Sequence, residues 1–240
     1  SVVGETVISE AVGTPTTFGS GVGYYNAVSF DSNSNRIVIA YRDNGNSDYG
    51  TAVVATVNSN NTLTLGTPVT FISSSTQNPS AIFDSSNNKV VIAFSDSGAS
   101  GRGKAVVGTV DSSDNSISFG SIATFETGTS GESGVVFDST NNKVVISYIN
   151  SSNGGKAIVG TVSGTSISFG SSVFFNSGTT AFLDAAYDSS NNKIVMCYTD
   201  GAASGNPLNA LVATVSGTSI SFGSEATVSS TETQYNSIGF

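Results

Sequence analysis

The stretch Phe83-Asp84-Ser85-Ser86-Asn87-Asn88-Lys89-Val90-Val91-Ile92-Ala93-Phe94 decides the reading of this chain, because it is written four times. The other copies start at Phe30 (FDSNSNRIVIAY), Phe137 (FDSTNNKVVISY) and Tyr187 (YDSSNNKIVMCY). Each opens on an aromatic–Asp pair, turns through Ser and Asn, and resumes as a run of β-branched residues. Asp accepts from backbone amides two residues on and Asn tolerates positive φ, so each copy reads as a tight hairpin. From Asp31 through Asp84 and Asp138 to Asp188 the steps are 53, 54 and 50 residues.

Working outward, each unit breaks into four runs of period-two alternation. In the second unit these are Ser80–Phe83 (A), Lys89–Phe94 (B), Lys104–Val110 (C) and Ser116–Phe125 (D). A repeat of this length made only of short strands predicts a β-propeller blade. Strand A carries Ala27, Ser80, Gly134, Asp184 and Ser237 at one register, and such mostly small side chains suit inner strands crowded around an axis. The A–B and C–D links are tight, whereas the B–C links and the D-to-A passages (such as Ile72–Asn78) read as long loops.

The ends follow the same series. Glu10–Phe18 (EAVGTPTTF) matches Leu63–Phe71 (LTLGTPVTF), and Tyr235–Phe240 (YNSIGF) matches Tyr25–Phe30 (YNAVSF). The expected fold is therefore all-β, a β-propeller of four-stranded antiparallel blades forming a single domain over 1–240. It holds a D strand at 8–18, blades at about 25–71, 79–125, 133–175 and 183–228, and a closing A strand at 235–240. That makes four complete blades and a composite fifth, with Phe18 and Phe240 in neighbouring strands. Val3–Val7 matches a C strand and nothing supplies strand B. Three accounts stay open: a three-stranded fifth blade, a strand from a partner chain, or a longer parent array.

Composition removes several classes. A net charge of −9 and a pI near 4.2 disfavour nucleic acid and anionic membrane surfaces. No apolar run approaches the roughly 20 residues of a membrane span, and no secretory signal is visible. The single Cys197 occupies a slot held elsewhere by Ala40, Ala93 and Ser147, so it reads as a small buried residue. With no histidine, the usual general base and commonest metal ligand are missing. No phosphate loop or clustered metal-ligand pattern appears, and no cofactor is expected.

Two rings of polar residues remain. At the A–B turns, Asp31, Asp84, Asp138 and Asp188 face Arg36, Lys89, Lys143 and Lys193 across a four-residue loop, which predicts turn closure by opposite charges rather than calcium sites. At the far end of strand B stand Asp43, Asp96, Asn150 and Asp200. Each either opens its B–C loop by an Asx turn or faces a ligand. Loop aromatics gather at Tyr24, Tyr25 and Tyr49, with Tyr235 the repeat equivalent of Tyr25, and Asp48, Arg42 and Arg102 belong to the same face. Aromatic surface with acidic, amide and guanidinium groups suits a sugar ring, although the tyrosines can equally cover the seam of the ring. A glycosidase needs two carboxylates facing a cleft. Asp184 and the rim acids make a pair conceivable, yet no pair stands out, and the expectation is that the chain is not an enzyme.

The phrases DSSNNKVVIAFSD, GKAVVGTV and SISFGS resemble repeats of predicted marine phage and bacterial surface proteins. More distantly, the architecture is similar to tachylectin-like lectin propellers, although the chain has no tryptophan. The resemblance implies an extracellular or virion-borne module used for attachment. The leading expectation is a non-catalytic recognition module for surface glycans or a host cell surface, binding on the B–C face. The second is a structural subunit of a virion, fibre or extracellular assembly, meeting itself or another virion protein through the incomplete blade. The third is a glycan-cleaving enzyme.

Overall fold

The computed structural model describes residues 13, 15–19 and 23–239. Blade 1 comprises β1 (Gly23–Asp31), β2 (Arg36–Asp43), β3 (Tyr49–Val57), β4 (Leu63–Leu65) and the start of β5 (Val69–Asp84). Blade 2 takes the rest of β5 with β6 (Lys89–Asp96), β7 (Arg102–Asp111), β8 (Ser116–Phe119) and the start of β9 (Ala123–Asp138). Blade 3 takes the rest of β9 with β10 (Lys143–Asn150), β11 (Gly155–Ser163), β12 (Ser166–Phe169) and β13 (Val173–Asn176). Blade 4 comprises β14 (Thr180–Asp188), β15 (Lys193–Asp200), β16 (Leu208–Ser216), β17 (Ser219–Phe222) and β18 (Ala226–Ser229). Every pairing is antiparallel, and the inner strands β1, β5, β9 and β14 lie side by side. This is the expected all-β propeller architecture.

Two expectations about the chain path are corrected. Strand D is not continuous: β8 and the start of β9 both pair with β7 but are parted at Gly120. A Cβ on Gly120 would lie 1.8 Å from the Thr165 carbonyl oxygen, in the C–D turn of the next blade. Gly13, Gly66 and Gly170 meet the carbonyls of Asn61, Asn115 and Thr218 in the same way. Each blade thus touches its successor's backbone where only a missing side chain leaves room. Nor is Ile72–Asn78 a loop, since β5 carries it unbroken from pairing with β3 to pairing with β6.

The A–B turns are closed differently from the expectation. Asp84 Oδ1 accepts from the amides of Ser86 and Asn87 at 3.0 Å, and Asn88 takes φ +52°. Asp31, Asp138 and Asp188 repeat the arrangement. The basic residues do not meet these acids: ion pairs among the described residues are Arg42–Asp48, Lys104–Asp96 and Lys156–Glu126. Arg36 instead crosses to blade 2, donating to Asn115 Oδ1 and to the Ser112 carbonyl, both at 2.6 Å. Two backbone amides sit closer to each carboxylate than the lysine can while keeping its own hydration, so the local bonds prevail.

The core lies between blades. An aromatic from each outer strand packs on the end of the next blade's B strand: Phe71 on Phe94, Phe125 on Tyr148 and Phe175 on Tyr198, at 5.0–5.1 Å between centroids. Phe18 meets Tyr41 at 5.1 Å in the same slot, which puts it where a preceding blade's outer strand would be. Tyr41, Tyr148 and Tyr198 are fully buried, and each hydroxyl finds an acceptor: the Phe18 carbonyl, Glu126 and Glu225. Burial, helped by Asp43, pushes the Tyr41 phenol up to about 12.

The expected terminal strands are not seen as strands. Residues 13 and 15–18 of the 8–18 segment carry no ladder, and neither do residues 235–239. Residues 8–12 and 14, the Val3–Val7 match and Phe240 lie outside the described residues, and with them the juxtaposition of Phe18 and Phe240. The C-terminal segment does nevertheless sit on blade 4. Asn236 Nδ2 donates to the Phe182 carbonyl at 3.0 Å, and the Ile238 amide donates to Asp184 Oδ2 at 2.9 Å.

Candidate functional site at the channel mouth

The inner strands share a local irregularity. β1 shifts register around Tyr25, β5 around Asn78 and Pro79, and β14 around Phe182 and Leu183, while β9 skips Gly131 and Glu132. Tyr25, Asn78 and Phe182 take φ of +48°, +47° and +50°, and Tyr235 takes +56° in the unpaired C-terminal segment. A bulge re-aims its side chain out of the strand's alternation. Here bulges from four blades converge at the end of the channel from which the B–C loops emerge. They line a pocket of 240 Å³ formed by Tyr25, Asn26, Asn78, Pro79, Glu132, Ser133 and Leu183.

Hydrogen bonds run around this mouth from blade to blade. Ser133 Oγ donates to the Asn78 carbonyl, and the Leu183 amide donates to Glu132 Oε2, both at 3.3 Å. Asn236 on Phe182 repeats the Ser133 contact two blades further round. Glu132 has no cationic partner among the described residues and lines the pocket.

A second cluster stands beside the mouth, on blade 1. Arg42 donates to Asp48 Oδ2 at 2.6 Å, Asn44 Nδ2 donates to Asp48 Oδ1 at 3.0 Å, and the guanidinium carbon lies 5.8 Å from the Tyr24 ring centre. The Arg42 hydrogen bond, with Asn44 second, holds the Asp48 carboxyl below the usual range. The same bond raises Arg42, to which Tyr25 and Tyr24 add smaller contributions. Arg42 Nε is buried and has no hydrogen-bond partner, a donor left over from the ion pair.

Of the residues singled out in the sequence, Tyr24, Tyr25, Arg42 and Asp48 are brought together. Three of the four rim residues instead hold their own loops, and the fourth, Asp96, is taken up by neighbouring side chains. Asp43 Oδ1 accepts from the Gly45 amide at 3.1 Å. Asn150 Oδ1 accepts from Gly154 at 2.8 Å, and Asp200 Oδ1 from Ala202 at 3.0 Å. Asp96 is buried between Lys104, at 2.5 Å, and the Ser74 hydroxyl. Burial opposes its charge, but the hydrogen bonds from Lys104 and Ser74 prevail and hold its carboxyl below the usual range. Tyr49 is half-buried in β3 opposite Asp43, and Arg102 is exposed at the start of β7 opposite Asp96. Tyr235 packs on Phe182 at 5.0 Å, on the blade 4 side.

Asn26, Asn78, Glu132 and Leu183 were missed by the sequence reading. Their signal is a column that varies within the repeat: Tyr25, Asn78, Glu132 and Phe182 occupy one position with four different residue types, and Tyr235 returns to tyrosine. Asp184, the conceivable catalytic acid, is engaged by backbone, accepting from Ala185 at 2.8 Å and from Ile238.

No protein-family model and no curated protein sequence matches the chain. Solved structures do. A protein from Lactobacillus plantarum gives a TM-score of 0.61 at 11% identity, covering 83% of this chain and 55% of its own. An exo-β-1,3-galactanase from Phanerochaete chrysosporium, with β-1,3-galactotriose, gives 0.58 at 12% identity, covering 91% and 52%. A GH43 glycoside hydrolase gives 0.50 at 9% identity, covering 86% and 41%. The chain spans about half the length of the solved structures it resembles. Two of these are glycoside hydrolases, which overturns the expectation that the chain is not an enzyme. The missing histidine on which that expectation leaned is no obstacle on such a fold, because carboxylates alone perform glycoside hydrolysis. At these identities what the likeness carries is the fold: an all-β propeller.

Proposed function

We propose that this chain is a carbohydrate-active propeller that engages the end of a surface glycan at the channel mouth. One observation carries the reading: Tyr25, Asn26, Asn78 and Glu132, from three blades, converge on one pocket. A phenol ring offers an apolar face to a pyranose, while the amides and the carboxylate meet its hydroxyls. At 240 Å³ the pocket lies below the roughly 300–1,000 Å³ of sites that enclose drug-sized ligands. That size favours one terminal ring over a long chain. The Tyr24–Arg42–Asp48 cluster flanks it and holds the exposed Tyr24 ring beside the neighbouring sugar. With the acidic, histidine-free composition and the phage-like repeats, this favours a setting on a virion or cell exterior.

Glycan-array binding tests the reading. Tyr25→Ala and Glu132→Gln are expected to abolish the signal, with Arg42→Ala weakening it; an unchanged glycan profile in all three variants would refute the mouth as the site. A second reading, hydrolysis, is favoured by Glu132 in the pocket together with the hydrolase neighbours. Asp184 lies one residue beyond Leu183 and is the nearest candidate for the second carboxylate. Turnover on aryl glycosides, lost in Glu132→Gln while binding persists, would establish it.

A further inference from the structure

Blades 1 and 4 each expose positions that are buried or half-buried elsewhere in the array. On blade 4, Val212 is 45% exposed, whereas its repeat equivalents Val54, Val107 and Val159 are at 0–0% exposure. Val228 is 64% exposed, against 7% for Phe71 and Phe125 at the same position. On blade 1, Phe30 is 55% exposed, against 9% and 8% for Phe83 and Phe137. Inside the array, Phe83 is packed in one cluster with Val54 and Phe71 of the preceding blade. Phe30 therefore faces where a blade would precede blade 1, and Val212 and Val228 face where one would follow blade 4.

The described chain ends lie on these two walls. Phe18 packs on Tyr41 of blade 1 in the outer-strand slot, and residues 235–239 dock on blade 4 in the inner-strand slot. In all four blades the inner strand is paired along its length with strand B. Among the described residues, 235–239 have no such ladder. The Ile238 amide points to Asp184 of blade 4, so by alternation the amides of Ser237 and Gly239 point to the side where a B strand belongs. Between this free edge and the blade 4 sheet lies a cleft of 390 Å³ lined by Cys197, Leu208, Ala210, Val228, Asn236 and Ile238, mostly apolar.

We propose that this cleft accepts a β-strand donated by a partner polypeptide, added antiparallel to residues 235–239. The occupant's chemistry is given by the four strands that fill the equivalent place: alternating β-branched residues with a small residue opposite the Ser237 position, as Ala93 stands opposite Ser80. An unpaired edge beside an exposed apolar face is what strand addition requires, the ladder giving affinity and the alternate side chains giving specificity. The inference does not depend on the glycan reading.

A synthetic peptide with the sequence of Asn87–Asp96 serves as the probe, followed by fluorescence anisotropy and amide hydrogen exchange. Expected is saturable one-to-one binding, with exchange at Ser237 and Gly239 slowed on addition. Ser237→Pro, which removes an edge donor, and Val228→Asp, which charges the wall, should each weaken binding at least tenfold. Both positions lie at the open cleft, and unchanged thermal melts would show that the variants fold. Failure of the peptide to bind, or binding indifferent to both substitutions, would overturn the proposal. So would slow exchange at Ser237 and Gly239 before any peptide is added: with a monomer by light scattering it would place the chain's own residues in the cleft, and with a dimer a second copy.

Discussion

Truncating Phe125 to alanine should unfold this protein at far lower denaturant than truncating Val228, although the two occupy the same repeat position. Phe125 is buried, its ring 5.1 Å from Tyr148 and 5.9 Å from Phe169. It also lies directly on Gly103, where a Cβ would come within 2.4 Å of the ring. Removing the ring leaves a hole bounded by two aromatics and a glycine backbone that cannot extend to fill it. Phe→Ala losses in such sites run about 3–5 kcal/mol, and the two ring contacts place this one near the middle, at about 4 kcal/mol, since aromatic pairs contribute about 0.5–1.5 kcal/mol each beyond area. With a urea m-value of about 2.5 kcal/mol/M, the midpoint should fall by about 1.6 M. Val228 is mostly exposed, and surface truncations stay within about 0.5 kcal/mol. Urea unfolding followed by circular dichroism compares the two directly. Equal midpoint losses would refute the account of a core built between successive blades, because exposure at the end of the array would then make no difference.

The glycines give a similar matched pair. Gly120→Ala puts a methyl into the Thr165 carbonyl and should cost about 2–3 kcal/mol, within the range for overpacking; Gly223→Ala, whose nearest atom is the Val212 carbonyl at 3.5 Å, should be near neutral in thermal melts. Asp96 has its pKa depressed in the folded chain, so its contribution to stability is present above the unfolded value of about 3.9 and is lost as pH falls through the folded one. Acid titration of Asp96→Asn should therefore show a shallower loss below about pH 4. Tyr41 shifts the other way: its folded value near 12 means stability that is whole below pH 10 and lost between about pH 10 and 12, a limb made shallower in Tyr41→Phe, since burial raises Tyr148 and Tyr198 too. Burial, and secondarily Asp184, raises the Cys197 thiol, so iodoacetamide at neutral pH should label it slowly in the folded chain and much faster once denaturant is added.

The sequence carries the blade well because each blade-forming task falls on neighbours in the chain. Asp84 reaches amides two and three residues on, and Asn88 turns at positive φ, so the hairpin is legible from its own twelve residues. What it does not carry are contacts whose partner lies one blade away. Arg36 was paired with Asp31 across its own turn, whereas its guanidinium bonds Asn115, 79 residues on. The break in strand D at Gly120 has its cause in the Thr165 carbonyl, which nothing in the local pattern announces. The rim acids illustrate a third case. Asp43 and Asp200 could be read as Asx turns or as ligand groups, and only the observed Gly45 and Ala202 amides decide for the turn. The mouth pocket escaped in part for the opposite reason: Tyr25 stands out as a loop aromatic, but Asn78, Glu132 and Leu183 do not repeat and carry no pattern.

That failure to repeat bears on how the proposed site would work. Every blade commits the same positions to the same tasks: Asp to the hairpin, Gly to the neighbour's carbonyl, an aromatic to the seam. Side chains so engaged have few free groups for a ligand, as Asp96 shows with both oxygens taken by Lys104 and Ser74. The bulge is different, since it lifts its residue out of the ladder and leaves the side chain free of the task its neighbours repeat in every blade. Had all bulges carried one residue type, the mouth would present equivalent subsites, one per blade. Tyr25, Asn78, Glu132 and Leu183 instead place a phenol, an amide, a carboxylate and an apolar side chain around one opening. Four unlike groups around a common axis form a single asymmetric site, so the reading proposed here requires one glycan end per chain rather than one per blade.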